Sequence, residues 1–113
     1  MIVNTSLIPL KTVLADVTRR IVEVASPQRI VLFGSAINGK MGLDSDLDFL
    51  VIMRGPVHRR HLAQQIYRNL HGVSLPVDII VATEDDIVNS SRKTGSILQP
   101  AMTEGKVIYD AQD

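Results

Sequence analysis

Three aspartates and a Gly-Ser pair stand at spacings that suit phosphate chemistry. The run FGSAINGKMGLDSDLD, residues 33–48, carries Gly34 and Ser35 near its start and Asp46 and Asp48 at its end. Asp46 and Asp48 are two apart at the head of an apolar run, so strand alternation puts both side chains on one face. Two carboxylates that close repel each other unless a cation lies between them. Magnesium takes oxygen ligands and typically uses one or two carboxylates plus substrate phosphates. Asp78 stands inside another apolar run, VDIIV, where a lone buried carboxylate is costly unless it is paired or metal-bound. If the two strands are neighbours, three carboxylates converge, as a two-metal phosphoryl or nucleotidyl transfer site requires. At Gly34 the backbone can approach a phosphate closely, and its amide and the Ser35 hydroxyl can donate to phosphate oxygens.

A second reading competes for the same stretch. Gly34, Gly39 and Lys40 match the GxxxxGK of a P-loop, and a strand precedes them. The next position of that motif is a Ser or Thr that ligands magnesium; here it is Met41, whose thioether is a poor ligand for a hard cation. A P-loop also opens a helix, whereas here Gly42 and Asp44-Ser45-Asp46 lead straight into a strand. The carboxylate reading is the better one, and Lys40 is left as a cation beside a phosphate-facing turn. DxD is also common in turns, and Asp44-Ser45-Asp46 on its own reads equally well as a loop cap.

The elements that must position these residues follow from periodicity. Leu10, Val13, Leu14, Val17, Ile21, Val24 and Ala25 fall at helical spacing and Ser26-Pro27 ends the helix. Arg29–Phe33 reads as a strand ending at Gly34. Leu47–Met53 reads as a strand apolar on both faces, hence central in its sheet. Residues 57–71 read as a helix stopped by Gly72, and Val77–Val81 as a third strand. Thr83 is a candidate N-cap for a short helix through Asn89, residues 96–104 read as another helix, and Lys106–Tyr109 as a last short strand. The order α-β-β-α-β-α-α-β predicts an α/β (α+β) fold, a small mixed sheet flanked by helices.

Bulk properties bound the rest. The chain of 113 residues is 45% hydrophobic, enough for a core and for one domain over residues 1–113. Lys plus Arg and Asp plus Glu are both 12, so the footprint of a dedicated nucleic-acid binder is missing. There is no cysteine, hence no disulfide framework or thiolate metal site. The N-terminal MIVNTSLIPLK has no basic n-region, and no apolar run approaches the roughly 20 residues of a membrane span. The expectation is a cytoplasmic protein with no membrane or direct nucleic-acid contact.

Gly34-Ser35 after a strand, ten residues at 36–45, Asp46-Leu47-Asp48 opening the next strand and Asp78 in a later one together resemble the nucleotidyltransferase superfamily with a polymerase-β-like fold. The short length and the ending GSILQPAMTEGKVIYD look like the minimal nucleotidyltransferases (MNT proteins), with the resemblance running over about residues 10–110. It implies ATP as substrate and magnesium, two ions of it, as cofactor. It implies Asp46 and Asp48 as metal ligands, Asp78 as third ligand and candidate base, and Gly34 and Ser35 on the triphosphate. Many MNT proteins resemble the antitoxin half of a pair whose toxin is a HEPN-domain RNase. The reaction so implied is transfer of AMP to a tyrosine of that toxin, within a hetero- or homo-oligomer. The arginines that such proteins often carry after Gly-Ser are not matched here; Lys40 is the one cation in that segment.

Two other function classes fit the same residues: a binding module that neutralises a toxin by capture, and a small-molecule nucleotidyltransferase of the aminoglycoside type. The latter usually carries an added helical domain. His58 and His61, three apart, can share a metal, but with Arg59 and Arg60 they read more simply as a solvated basic face. Arg92 and Lys93 read either as phosphate contacts or as a solvated connection. Tyr67 and Tyr109 read as packing residues with a wet hydroxyl.

Overall fold

Valines and isoleucines four apart build the first helix. In the computed structural model, which describes residues 9–34, 46–90 and 98–112, α1 (Leu10–Ala25) buries Val13, Val17, Ile21 and Ala25 on one stripe. It ends where Ser26 turns left-handed, φ 45°, and donates its N–H to the Val22 carbonyl. Pro27 then bars continuation. The chain re-enters as β1 (Arg29–Phe33). After β2 (Leu47–Met53) come α2 (Arg59–Asn69), β3 (Val77–Thr83), α3 (Glu84–Ser90), α4 (Leu98–Glu104) and β4 (Lys106–Asp110).

The expected order therefore stands, with adjusted bounds. The helix expected over 57–71 is shorter, because His58 is its N-cap: the ring accepts the His61 N–H. The third strand runs on to Thr83, which both closes β3 and caps α3 by accepting the Asp86 N–H at 3.1 Å. Residues 96 and 97 of the expected penultimate helix lie outside the described residues.

The sheet order is β3-β2-β1-β4. β1 pairs antiparallel with both β2 and β4, while β2 and β3 are parallel, joined by the α2 crossover that parallel strands need. β2 is central as expected, with Leu47, Phe49, Leu50, Val51 and Ile52 all fully buried. Its two faces feed two cores. Leu47, Phe49 and Val51 join α1, α2 and Ile79 and Val81 of β3 in the larger one. Leu50 and Ile52 join Val31, Ala82 and Ala101, with Ile87, Leu98 and Met102 packed against them, in the smaller one. The result is α1 and α2 on one face, and α3 and α4 on the other.

Both sheet edges are modified. On β3, the N–H groups of Ile79 and Thr83 do not reach β2; a Tyr67 hydroxyl and an Asp86 carboxylate accept them, at 2.8 and 2.9 Å. On β4 the pairing with β1 slips between Ile30 and Val31, which leaves Ile108 unpaired in the register.

Candidate active site

Strand register brings two of the candidate carboxylates together. Asp48 is the second residue of β2 and Asp78 the second of β3, and the parallel pairing sets them directly side by side. Leu47 and Phe49 point into the α1/α2 core, so alternation turns Asp48 to the α3/α4 face, and the same holds for Asp78 beside Ile79. Asp46 stands one residue before β2 and is exposed. The neighbourhood required of the two strands is thus met. One expectation is not: Asp78 is exposed rather than buried, because β3 is an edge strand and position 78 lies at its open end.

Gly34 closes the other side. It follows β1, whose last residue, Phe33, pairs with Asp48. Its φ is +82°, and a Cβ built on it would run into the Asp48 carboxylate. Both facts demand glycine, one through backbone conformation and one through space. Ser35 and Lys40 lie outside the described residues, as do Arg92 and Lys93.

The electrostatics follow from this crowding. Burial first, and then the negative charges of Asp78 and Asp46, push the Asp48 carboxyl above its usual value. Concentrated negative charge of this kind, on hard oxygen donors, fits a hard divalent cation. Among the described residues no three His, Asp or Glu side chains form a cage able to hold a metal by themselves. Magnesium commonly completes its shell with water and substrate phosphates.

Sequence reasoning missed Tyr67. Expected to be a packing residue, it is 42% exposed, and its Oη donates to Asp78 Oδ1 at 3.2 Å while accepting the Ile79 N–H at 2.8 Å. Burial raises the phenol above its ordinary value; the Ile79 amide opposes this, and the Asp78 charge adds to it. The hydroxyl is therefore a neutral donor near pH 7. The one signal in the sequence was generic: a tyrosine hydroxyl near apolar neighbours needs a partner. The His58/His61 pair carries no metal geometry among the described residues; Arg59 instead forms a forked ion pair with Asp86, at 2.7 to 2.9 Å.

A groove of about 320 Å³ lies on the carboxylate face of β3, with Ile80 and Ala82 on its floor and Asn89, Ser90 and Leu98 on its wall. A larger one, about 560 Å³, runs between α1 and β4 and contains none of the candidate residues.

Comparison with known proteins identifies the family and supports the fold. Residues 14–100 match the family of nucleotidyltransferase domains. A candidate nucleotidyltransferase from Sulfolobus solfataricus superposes with a TM-score of 0.61 at 16% identity, over 90% of this chain and 81% of that one. A toxin–antitoxin complex with AMP-PNP contains a chain that superposes with a TM-score of 0.54 at 24% identity, over 92% of this chain and 76% of that one. Among curated proteins, none matches the sequence.

Proposed function

Since the chain belongs to the nucleotidyltransferase-domain family, we propose that it transfers AMP from ATP to a tyrosine hydroxyl of a partner protein, a HEPN-type RNase toxin that it thereby neutralises. The observation that carries the reading is the placement of Asp48: side by side with Asp78 on the next strand, and against a glycine that leaves its carboxylate free of any side chain on that flank. The comparison with a toxin–antitoxin complex containing an ATP analogue supports the partner class and the nucleotide.

In this reading Asp46, Asp48 and Asp78 hold magnesium, which supplies charge neutralisation for the triphosphate and the leaving pyrophosphate. The chain's own residues do the rest. The Gly34 backbone, Ser35 and Lys40 receive the phosphates. Asp78, at the exposed edge, takes the proton from the incoming hydroxyl. That oxygen bonds to the α-phosphorus, the bond to the β-phosphate oxygen breaks, and pyrophosphate leaves. Asp78 is exposed on the rim strand β3 while Gly34 follows β1, and the reading accordingly assigns the acceptor to the β3 side and the nucleotide to the β1 side.

The test uses lysate of the source cells with this protein, magnesium, and ATP labelled at either the α or the γ phosphate. Label entering a protein band from α but not from γ, and lost with Asp46→Asn, is the expected result. Label from γ alone identifies a kinase and overturns the proposal. No label from either, with a partner still co-purifying, makes the chain a capture module.

A further inference from the structure

Asp78 projects from an edge strand with its side chain exposed, and among the described residues no cation pairs with it. A carboxylate so placed is free to rotate unless something fixes it. Among the described residues, the side chain that does so comes from the opposite layer. Tyr67, near the end of α2, reaches around the rim of β3 and donates its phenol proton to Asp78 Oδ1. The direction of that bond is enforced. A hydroxyl has a single proton, and the Ile79 N–H, at 2.8 Å, can only donate. The oxygen must therefore accept from Ile79, which leaves its proton for the carboxylate. Because Ile79 is adjacent to Asp78, the amide that anchors the phenol and the carboxylate that receives its proton belong to the same rigid stretch of strand.

We infer that Tyr67 is a positioning residue, whose hydroxyl holds the Asp78 carboxylate in the orientation it takes beside Asp48. The inference rests on the reading that Asp48 and Asp78 hold a divalent cation. Groups that orient a metal ligand without touching the metal characteristically alter affinity through that ligand. Tyr67 also ties the acceptor side of the site to α2, so the orientation of Asp78 depends on how that helix is seated.

The experiment measures Mn²⁺ binding by calorimetry, together with melting in EDTA, for the full chain, Tyr67→Phe, Asp78→Ala and the double variant. Tyr67→Phe is expected to weaken Mn²⁺ about tenfold in the wild-type background and to change nothing in the Asp78→Ala background. Its metal-free melting temperature should fall by only several degrees, since the Ile79 N–H loses its acceptor. Replacing Tyr67 by 4-aminophenylalanine, which keeps a donor at that position, is expected to restore the affinity. Equal weakening with and without Asp78, no weakening at all, or loss of the metal-free fold in both Tyr67 variants would each overturn the inference. Failure of the wild type to transfer AMP, with the Mn²⁺ coupling intact, overturns the proposed function and leaves Tyr67 in its role. Transfer without the coupling does the reverse.

Discussion

The Asp48 carboxylate occupies the volume in which a side chain on Gly34 would begin. The end of β1 and the start of β2 are thereby locked to one another: the strand that bears the carboxylate can approach the end of β1 only because residue 34 has no Cβ. Gly34→Ala should combine a left-handed backbone penalty of about 1–3 kcal/mol with displacement of Asp48. Denaturant titration should show the stability loss, and AMP transfer should fall further than stability alone explains.

Asp48→Asn should separate stability from function. It removes one member of a like-charged group whose crowding already disfavours ionisation. Without metal, the variant is expected to melt at or above the wild-type temperature at neutral pH. Transfer should be lost, as should the stabilisation by magnesium and a non-hydrolysable ATP analogue. In the wild type that stabilisation is worth about 2.7 kcal/mol at a hundredfold excess over Kd. Differential scanning with and without EDTA reads both effects.

Asp86 predicts an acid-sensitive contact. Burial opposes its charge, but the hydrogen bonds from Arg59, from the Thr83 backbone and from the Thr83 hydroxyl outweigh burial and hold its carboxyl below the usual value. A depressed folded-state value means that the contact contributes fully above the ordinary carboxylate range and is lost as pH falls through the folded value. Asp86→Ala should therefore cost about 1 kcal/mol at pH 7. The gap between variant and wild type in urea midpoints should close below about pH 4.

Arg20 joins α1 to the end of α2. Its guanidinium donates to the carbonyls of Asn69 and His71, at 3.2 and 2.7 Å, and the Asn69 amide returns a bond to the Arg20 carbonyl at 2.9 Å. Arg20→Met should cost about 1–3 kcal/mol, and Arg20→Lys should recover part of it, because a single guanidinium nitrogen serves both carbonyls and an ammonium has three donors, whereas the approach of Arg20 Nε to Asp16 is lost. Thermal unfolding of the three proteins is the check.

Much of this was legible from residue order, and the reasons are local. Helical spacing in Leu10–Ala25 and an apolar run too long for a half-exposed strand in Leu47–Met53 are properties of consecutive residues. They forecast α1 and a central β2. The Gly34-Ser35 and Asp46-Leu47-Asp48 spacing likewise set the candidate residues at strand ends, and Gly34, Asp46 and Asp48 lie there. What periodicity does not encode is how far a side chain reaches across elements. The register that sets Asp78 beside Asp48 is fixed by the α2 crossover, and the exposure of Asp78 by the position of β3 at the rim. Tyr67 looked like a packing residue because its partner lies on another element. Arg59 and His58 read as solvated cations until the closing of α3 onto α2 gave the first an acidic partner and the helix start gave the second a cap.

The two modified sheet edges bear on how this protein can be recognised. With the Ile79 and Thr83 amides already taken by Tyr67 and Asp86, and the β4 pairing with β1 slipped in register, neither rim of the sheet presents an unbroken row of backbone donors and acceptors among the described residues. A visiting polypeptide finds no generic template to extend. Recognition at the β3 rim then falls to side chains rather than to backbone, and surface substitutions there can alter it without disturbing the sheet.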